Sequence, residues 1–213
     1  KANNYLKEYE KTNDSSFYQN SVDLYKAALL IDPDFAKAYS GLANAYYDKY
    51  YYKNYFKESF LDSCLILAEQ ALSIDDQVDE AYYIKGVYYY ENGDIENAID
   101  ALDEALTINP NYYWAYSYKG YVLQELKHDY VQSIDNYNKA LNLIRGVERP
   151  SILRDLGTAY LDVGFIEKAK YYYEEALALD NDSAKYLSSM AWLEMSLENY
   201  KESYKLNKKF LKI

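Results

Sequence analysis

The sequence predicts an all-α chain in which about six helix-turn-helix hairpins stack side by side as a right-handed α–α superhelix. Three observations predict it. Short motifs recur every 34 residues or slightly more. Apolar residues recur at steps of three and four on either side of short polar turns. And the 213 residues hold only 7 Gly and 3 Pro, too few breakers for anything but long regular elements. One hairpin cannot bury its own apolar stripe, whereas stacked hairpins cover one another, so the repeat itself requires neighbours.

Ala71-Leu72-Ser73-Ile74 returns 34 residues later as Ala105-Leu106-Thr107-Ile108, and Ala81-Tyr82 with Lys85-Gly86 returns at the same interval as Ala115-Tyr116 with Lys119-Gly120. The interval then stretches. Ala140-Leu141 lies 35 residues beyond Ala105-Leu106, Ala176-Leu177 lies 36 further on, and Phe210-Leu211 follows after 34, while Ala28-Leu29 precedes Ala71-Leu72 by 43. On these residues the chain resembles the tetratricopeptide repeat family, whose unit reads W-x2-L-G-x2-Y, then A-x3-F, then A-L and P. The copy at 79–112 matches best, with Tyr82, Gly86 and Tyr89 in the first helix, Ala98, Leu102, Ala105 and Leu106 in the second, and Pro110 at its end. The copy at 150–183 carries Leu153, Leu156-Gly157, Tyr160, Gly164, Ala169, Tyr173 and Ala176-Leu177. Six copies, at about 2–35, 36–78, 79–112, 113–149, 150–183 and 184–213, are expected to form a single solenoid domain over 1–213.

Taken in order, the first copy has a weak front half in which Tyr5 and Tyr9 mark the buried stripe, and Pro33 stops its second helix. The second copy carries nine extra residues within Lys49-Tyr50-Tyr51-Tyr52-Lys53-Asn54-Tyr55-Phe56-Lys57-Glu58-Ser59. Either both helices run about a turn longer, or an aromatic knob projects toward a partner. In the third copy Asn92-Gly93-Asp94 separates the helices: Gly93, like Gly164, suits a left-handed cap, and Asp94 can cap the next helix. Gly86, Gly120, Gly157, Ala98 and Ala169 stand where paired helices would cross closely. Arg145-Gly146-Val147-Glu148-Arg149-Pro150 adds two residues after the fourth copy, where Gly146 is expected to end one helix and Pro150 to open the next, with a change in superhelical path. The last copy departs from the pattern at Ala191, in the Gly slot, and at Phe210, in the Ala slot.

The balance of 23 Lys and Arg against 34 Asp and Glu gives −11. This disfavours a phosphate backbone, which needs clustered cations, so no direct nucleic-acid binding is expected. No run approaches the ~20 apolar residues of a membrane span. The start Lys1-Ala2-Asn3-Asn4 is neither a signal peptide nor a Met start, so the sequence is expected to be a piece of a longer protein. Ile31-Asp32-Pro33-Asp34-Phe35-Ala36-Lys37-Ala38-Tyr39, followed by the lengthened repeat, also resembles repeat arrays attached to bacterial regulatory domains. The compartment is undetermined, with the cytoplasm favoured. Cys64 cannot form an internal disulfide and reads as a buried spacer. His128 cannot build a histidine metal site and reads as a solvated turn residue. No phosphate loop, metal spacing or catalytic constellation appears, so no enzyme activity, no metal and no cofactor are expected.

The resemblance implies that a partner docks in the concave groove lined by the first helix of each pair. Projected onto this chain, the groove comprises Asn44, Tyr47, Tyr83, Val87, Tyr90, Trp114, Tyr118, Tyr121, Arg154, Thr158 and Trp192, with Ser188 and Met195 beside them. Tyrosine and tryptophan offer large contact area with few rotors to freeze, a credible means of holding a peptide. The family's carboxylate clamp is broken here. Lys37 and Asn44 could serve, but Glu80 and Ile84, then Trp114 and Tyr118, occupy the next clamp positions. A neutral or basic protein segment is therefore the expected partner, in a sensor or scaffold role within a larger regulatory protein. Two alternatives stay open: a structural spacer or homodimerisation arm, motivated by Tyr204, Leu211 and Ile213 on the last helix, and carbohydrate binding on stacked aromatics.

Overall fold

The computed structural model describes residues 1–12, 14–53 and 58–212, and twelve α-helices among them account for the regular structure. The chain divides into two compact units, Lys1–Ala115 and Tyr116–Ile213. The first holds α1 (Ala2–Thr12), α2 (Ser15–Ile31), α3 (Ala36–Lys53), α4 (Glu58–Ile74), α5 (Asp79–Glu91) and α6 (Ile95–Ile108). The second holds α8 (Tyr130–Leu143), α9 (Arg149–Asp162), α10 (Ile166–Asp180), α11 (Ser183–Ser196) and α12 (Tyr200–Phe210). The boundary falls within α7 (Tyr113–Glu125).

In the first unit each helix from α1 to α6 packs on the next, and α1 touches α3 as α3 touches α5. In the second, α8 to α12 pack in sequence and α9 touches α11. A helix thus meets its hairpin partner and the corresponding helix of the next hairpin, which is how stacked pairs bury the stripes none could bury alone. The first unit's core gathers Leu6, Tyr9, Tyr18, Val22, Tyr25, Ala38, Leu42 and Ala45; in the second, Leu161, Ala169, Tyr173 and Leu193 pack together. Leu6 joins Tyr9 in the stripe of α1, a three-residue step, while Tyr5 lies at the edge with its ring stacked on Phe17.

The crossings follow the small residues. A Cβ on Gly86 would lie 2.7 Å from Leu102 and 3.3 Å from the Ala98 carbonyl, and one on Gly120 would lie 3.0 Å from the Tyr137 ring. Ala98 and Ala169 are fully buried. Backbones approach there because neither helix carries bulk at the contact.

The helix ends are chemical. Gly93 and Gly164 take φ of 75° and 80°, and the equivalent turns place His128 and Glu198 in the same left-handed region at 53° and 60°. The Asp94, Asp129 and Asp182 side chains accept from the backbone N–H of Asn97, Gln132 and Lys185, satisfying donors that a first turn leaves open. Asp32 and Asn109, each preceding a proline, are extended and end α2 and α6. Gly146 does not end α8. That helix closes at Leu143, and the guanidinium groups of Arg145 and Arg149 donate to the Leu141 and Ile144 carbonyls, cations taking the role assigned to glycine. Pro150 does open α9, within its first turn.

The extra residues of the second hairpin lengthen its helices: α3 has 18 residues and α4 has 17, against 13 and 14 for α5 and α6. The tip of the expected aromatic knob, residues 54–57, lies outside the described residues.

Candidate functional site

In the first unit the starts of α3 and α5 converge with α2 and the loop after α6 around a cavity of about 630 Å³. Phe35, Lys37 and Ala38 come from the start of α3, Val78, Asp79 and Glu80 from the start of α5, and Asn109 and Tyr112 from the loop. Leu24, Tyr25 and Ala28 of α2 and the first three residues of the chain complete the wall. These positions follow from the repeat: a helix start brings its first-turn side chains to the same end of the stack as the residues closing the preceding hairpin.

The cavity's polar groups are arranged in pairs. Glu80 Oε2 accepts from the Ser40 hydroxyl at 3.0 Å, Asp79 Oδ2 accepts from Asn109 Nδ2 at 2.6 Å, and the Tyr25 hydroxyl donates to Asn3. Burial pushes the Glu80 carboxyl above the ordinary carboxylate range; the Ser40 bond and Lys37 act against the rise, and Asp79 adds to it. Tyr112 is held well above the usual phenol value, first by burial and then by the negative charges of Glu80, Asp79 and Asp48. Tyr25, Phe35 and Tyr112 make the lining aromatic; Tyr83, outside it, packs on Tyr112 with ring centroids 5.5 Å apart, and Phe35 is 45% exposed.

The expected groove residues fall into two groups. Tyr47, Tyr83 and Val87 are buried in the packing of the first unit and do not present a surface; Tyr83 is occupied by Tyr112. Asn44, Tyr90 and Trp114 are partly exposed, the last with its ring 5.0 Å from that of Tyr113. In the second unit Tyr118 and Tyr121 are neighbours at 6.0 Å, with Tyr121 38% and Trp192 50% exposed. Ser188 and Met195 are exposed on α11. Arg154 is engaged by Asp180 at 2.8 Å, and Thr158 bonds the Arg154 carbonyl and lies 3.1 Å from the Tyr173 hydroxyl. These two brace α9 against α10.

None of the expected residues lines the cavity. Phe35, Glu80 and Tyr112 were missed because reading first helices along their length passes over first turns and inter-hairpin loops; the glutamate in the clamp position was the available signal. Cys64 is buried, its thiol pushed up to about 12 by burial and then by Asp48, which disfavours the reactive thiolate. His128 lies in the α7–α8 turn with Nδ1 3.2 Å from the Gln124 carbonyl. Among the described residues no cluster of three or more His, Cys, Asp or Glu could hold a metal, and no helix is long and apolar enough to cross a membrane.

Residues 79–112, spanning α5, α6 and the loop to Tyr112, match the tetratricopeptide repeat model. The chain is similar in fold to several solved structures. A thermophilic TPR protein of Thermus thermophilus is 19% identical with a TM-score of 0.66, over 92% of this chain and 99% of that one. PilF of Pseudomonas aeruginosa is 20% identical with a TM-score of 0.67, over 98% and 89%. YrrB, described as a TPR protein with an unusual peptide-binding site, is 18% identical with a TM-score of 0.60, over 88% and 91%. No curated protein sequence matches the chain.

Proposed function

We propose that this tetratricopeptide-repeat chain is a non-catalytic scaffold that holds a segment of a protein partner at the starts of α3 and α5. A TPR fold implies a protein–protein interaction scaffold, and proteins of this type are generally non-catalytic. The observation that carries the finer reading is the open, aromatic-walled cavity of the first unit, whose volume falls within the ~300–1,000 Å³ of ordinary ligand pockets. It is preformed, so a segment entering it freezes little of the host. Asn44, Tyr90 and Trp114 are kept as a proposed docking surface of the first unit, and Tyr118, Tyr121 and Trp192 as a separate one of the second unit, each taken by itself.

The test is to select short peptides from a random displayed library against the chain and to measure their affinity for variants. Phe35→Ala should weaken binding about tenfold or more, while Tyr171→Ala, an exposed ring on α10, should leave it unchanged. Equal affinity for the parent and for Phe35→Ala would move the site elsewhere.

A second reading, a dimerisation arm, is favoured by α12 and the residue that caps it, since Tyr204 is 67% and Leu211 81% exposed. Ile213, expected to share that patch, lies outside the described residues. Sedimentation showing a monomer at all concentrations would remove this reading.

A further inference from the structure

We infer that the cavity of the first unit selects a basic side chain, lysine or arginine, from the segment it binds. The inference rests on the reading of that cavity as the docking site and adds the chemistry of its occupant. Glu80 lies mostly buried in the wall, where its Oε2 accepts from the Ser40 hydroxyl at 3.0 Å. A carboxylate has room for several donors, so the side facing the cavity retains acceptor capacity. Glu80 and Asp79 line the cavity, and together with Asp48 they act on the Tyr112 phenol. The cations in the lining, Lys1 and Lys37, are exposed, so water screens their charge more than that of Glu80, on which Lys37 acts only in partial opposition to burial.

The apolar walls match the rest of such a side chain. Tyr25, Phe35 and Tyr112 line the cavity, and aromatic faces attract a desolvated ammonium or guanidinium while packing its methylene stem. A carboxylate from a partner would meet the opposite situation, a second buried negative charge beside Glu80, which is the reverse of a clamp for acidic tails. An aliphatic side chain would fill the walls but leave the Glu80 carboxylate desolvated without a new donor, an expensive arrangement. A cation satisfies both.

The experiment titrates the isotopically labelled chain with the blocked tripeptides Ala-Lys-Ala, Ala-Arg-Ala, Ala-Leu-Ala and Ala-Glu-Ala, following the backbone amides of Ser40, Glu80 and Tyr112 by NMR. The lysine and arginine peptides are expected to shift these amides saturably, and Glu80→Gln to weaken that binding about tenfold or more while leaving the helical spectrum unchanged. Should Glu80→Gln fail to fold, the parent chain supplies the test: acidification that protonates Glu80 should weaken the lysine peptide and leave the leucine peptide unaffected. The neighbouring groups are Asp79 on α5, Lys37 and Asp48 on α3, Lys1 before α1, Tyr25 on α2 and Tyr112 after α6. If the leucine or glutamate peptide binds as well as the lysine peptide, the selection of a cation is overturned while peptide docking stands. If no peptide shifts these amides, docking at this cavity is overturned with it.

Discussion

Where Gly157 of α9 would carry a Cβ, the ring of Tyr173 on α10 lies 2.6 Å away and the Ala169 carbonyl 3.2 Å away. The Tyr173 ring is buried and its hydroxyl is tied to Thr158, so it has little freedom to retreat. Gly157→Ala should therefore destabilise the chain by about 1–3 kcal/mol, as overpacking does. Urea unfolding checks this, and an unchanged midpoint would show that the crossing has slack.

Glu198 occupies, with φ of 60°, the turn position that Gly93 and Gly164 fill elsewhere. A side chain in the left-handed region costs about 1 kcal/mol relative to glycine. Glu198→Gly should raise stability by about that amount, read from the same unfolding curves, and a loss would mean that Glu198 makes compensating contacts.

Asp155 of α9 faces Tyr137 of α8 and Tyr173 of α10, and burial lifts its carboxyl from 3.8 to about 7, with Arg154 opposing in part. The folded value lies above the unfolded one, so the folded state holds the proton more tightly. The contribution to stability is thus greatest below about pH 4, falls as pH rises toward about 7, and is level above that. Asp155→Asn should leave stability near pH 4 almost unchanged and increase it near pH 8 by about 2 kcal/mol, a figure discounted for the partial solvent access of the side chain. A variant that is no more stable than the parent near pH 8 contradicts this.

The Cys64 thiol, buried and pushed up to about 12, should resist a water-soluble disulfide reagent in the native chain and react in step with unfolding. Prompt native-state labelling would show that α4 opens locally.

The repeat was legible because its signals are local. Gly86 against Ala98, Gly157 against Ala169, and the Gly93-Asp94 turn each express a contact within one hairpin, so spacing alone locates them. The end of α8 was not legible, because Arg145 and Arg149 reach back to carbonyls from outside the helix and leave no periodic trace. The candidate site was read only in part for a related reason. Counting along the first helices selects Tyr47, Tyr83 and Val87, but whether such a residue is a surface or a core depends on what the adjoining loop delivers. Tyr112, 29 residues beyond Tyr83 in sequence, covers it.

The most direct test of the docking account is photo-crosslinking. A benzoylphenylalanine replacing Phe35, an exposed residue of the cavity lining, should attach to a peptide selected on the chain, whereas the same group replacing Tyr171 on α10 should not. Attachment from position 171 with none from position 35 would contradict the proposal that the starts of α3 and α5 hold the partner.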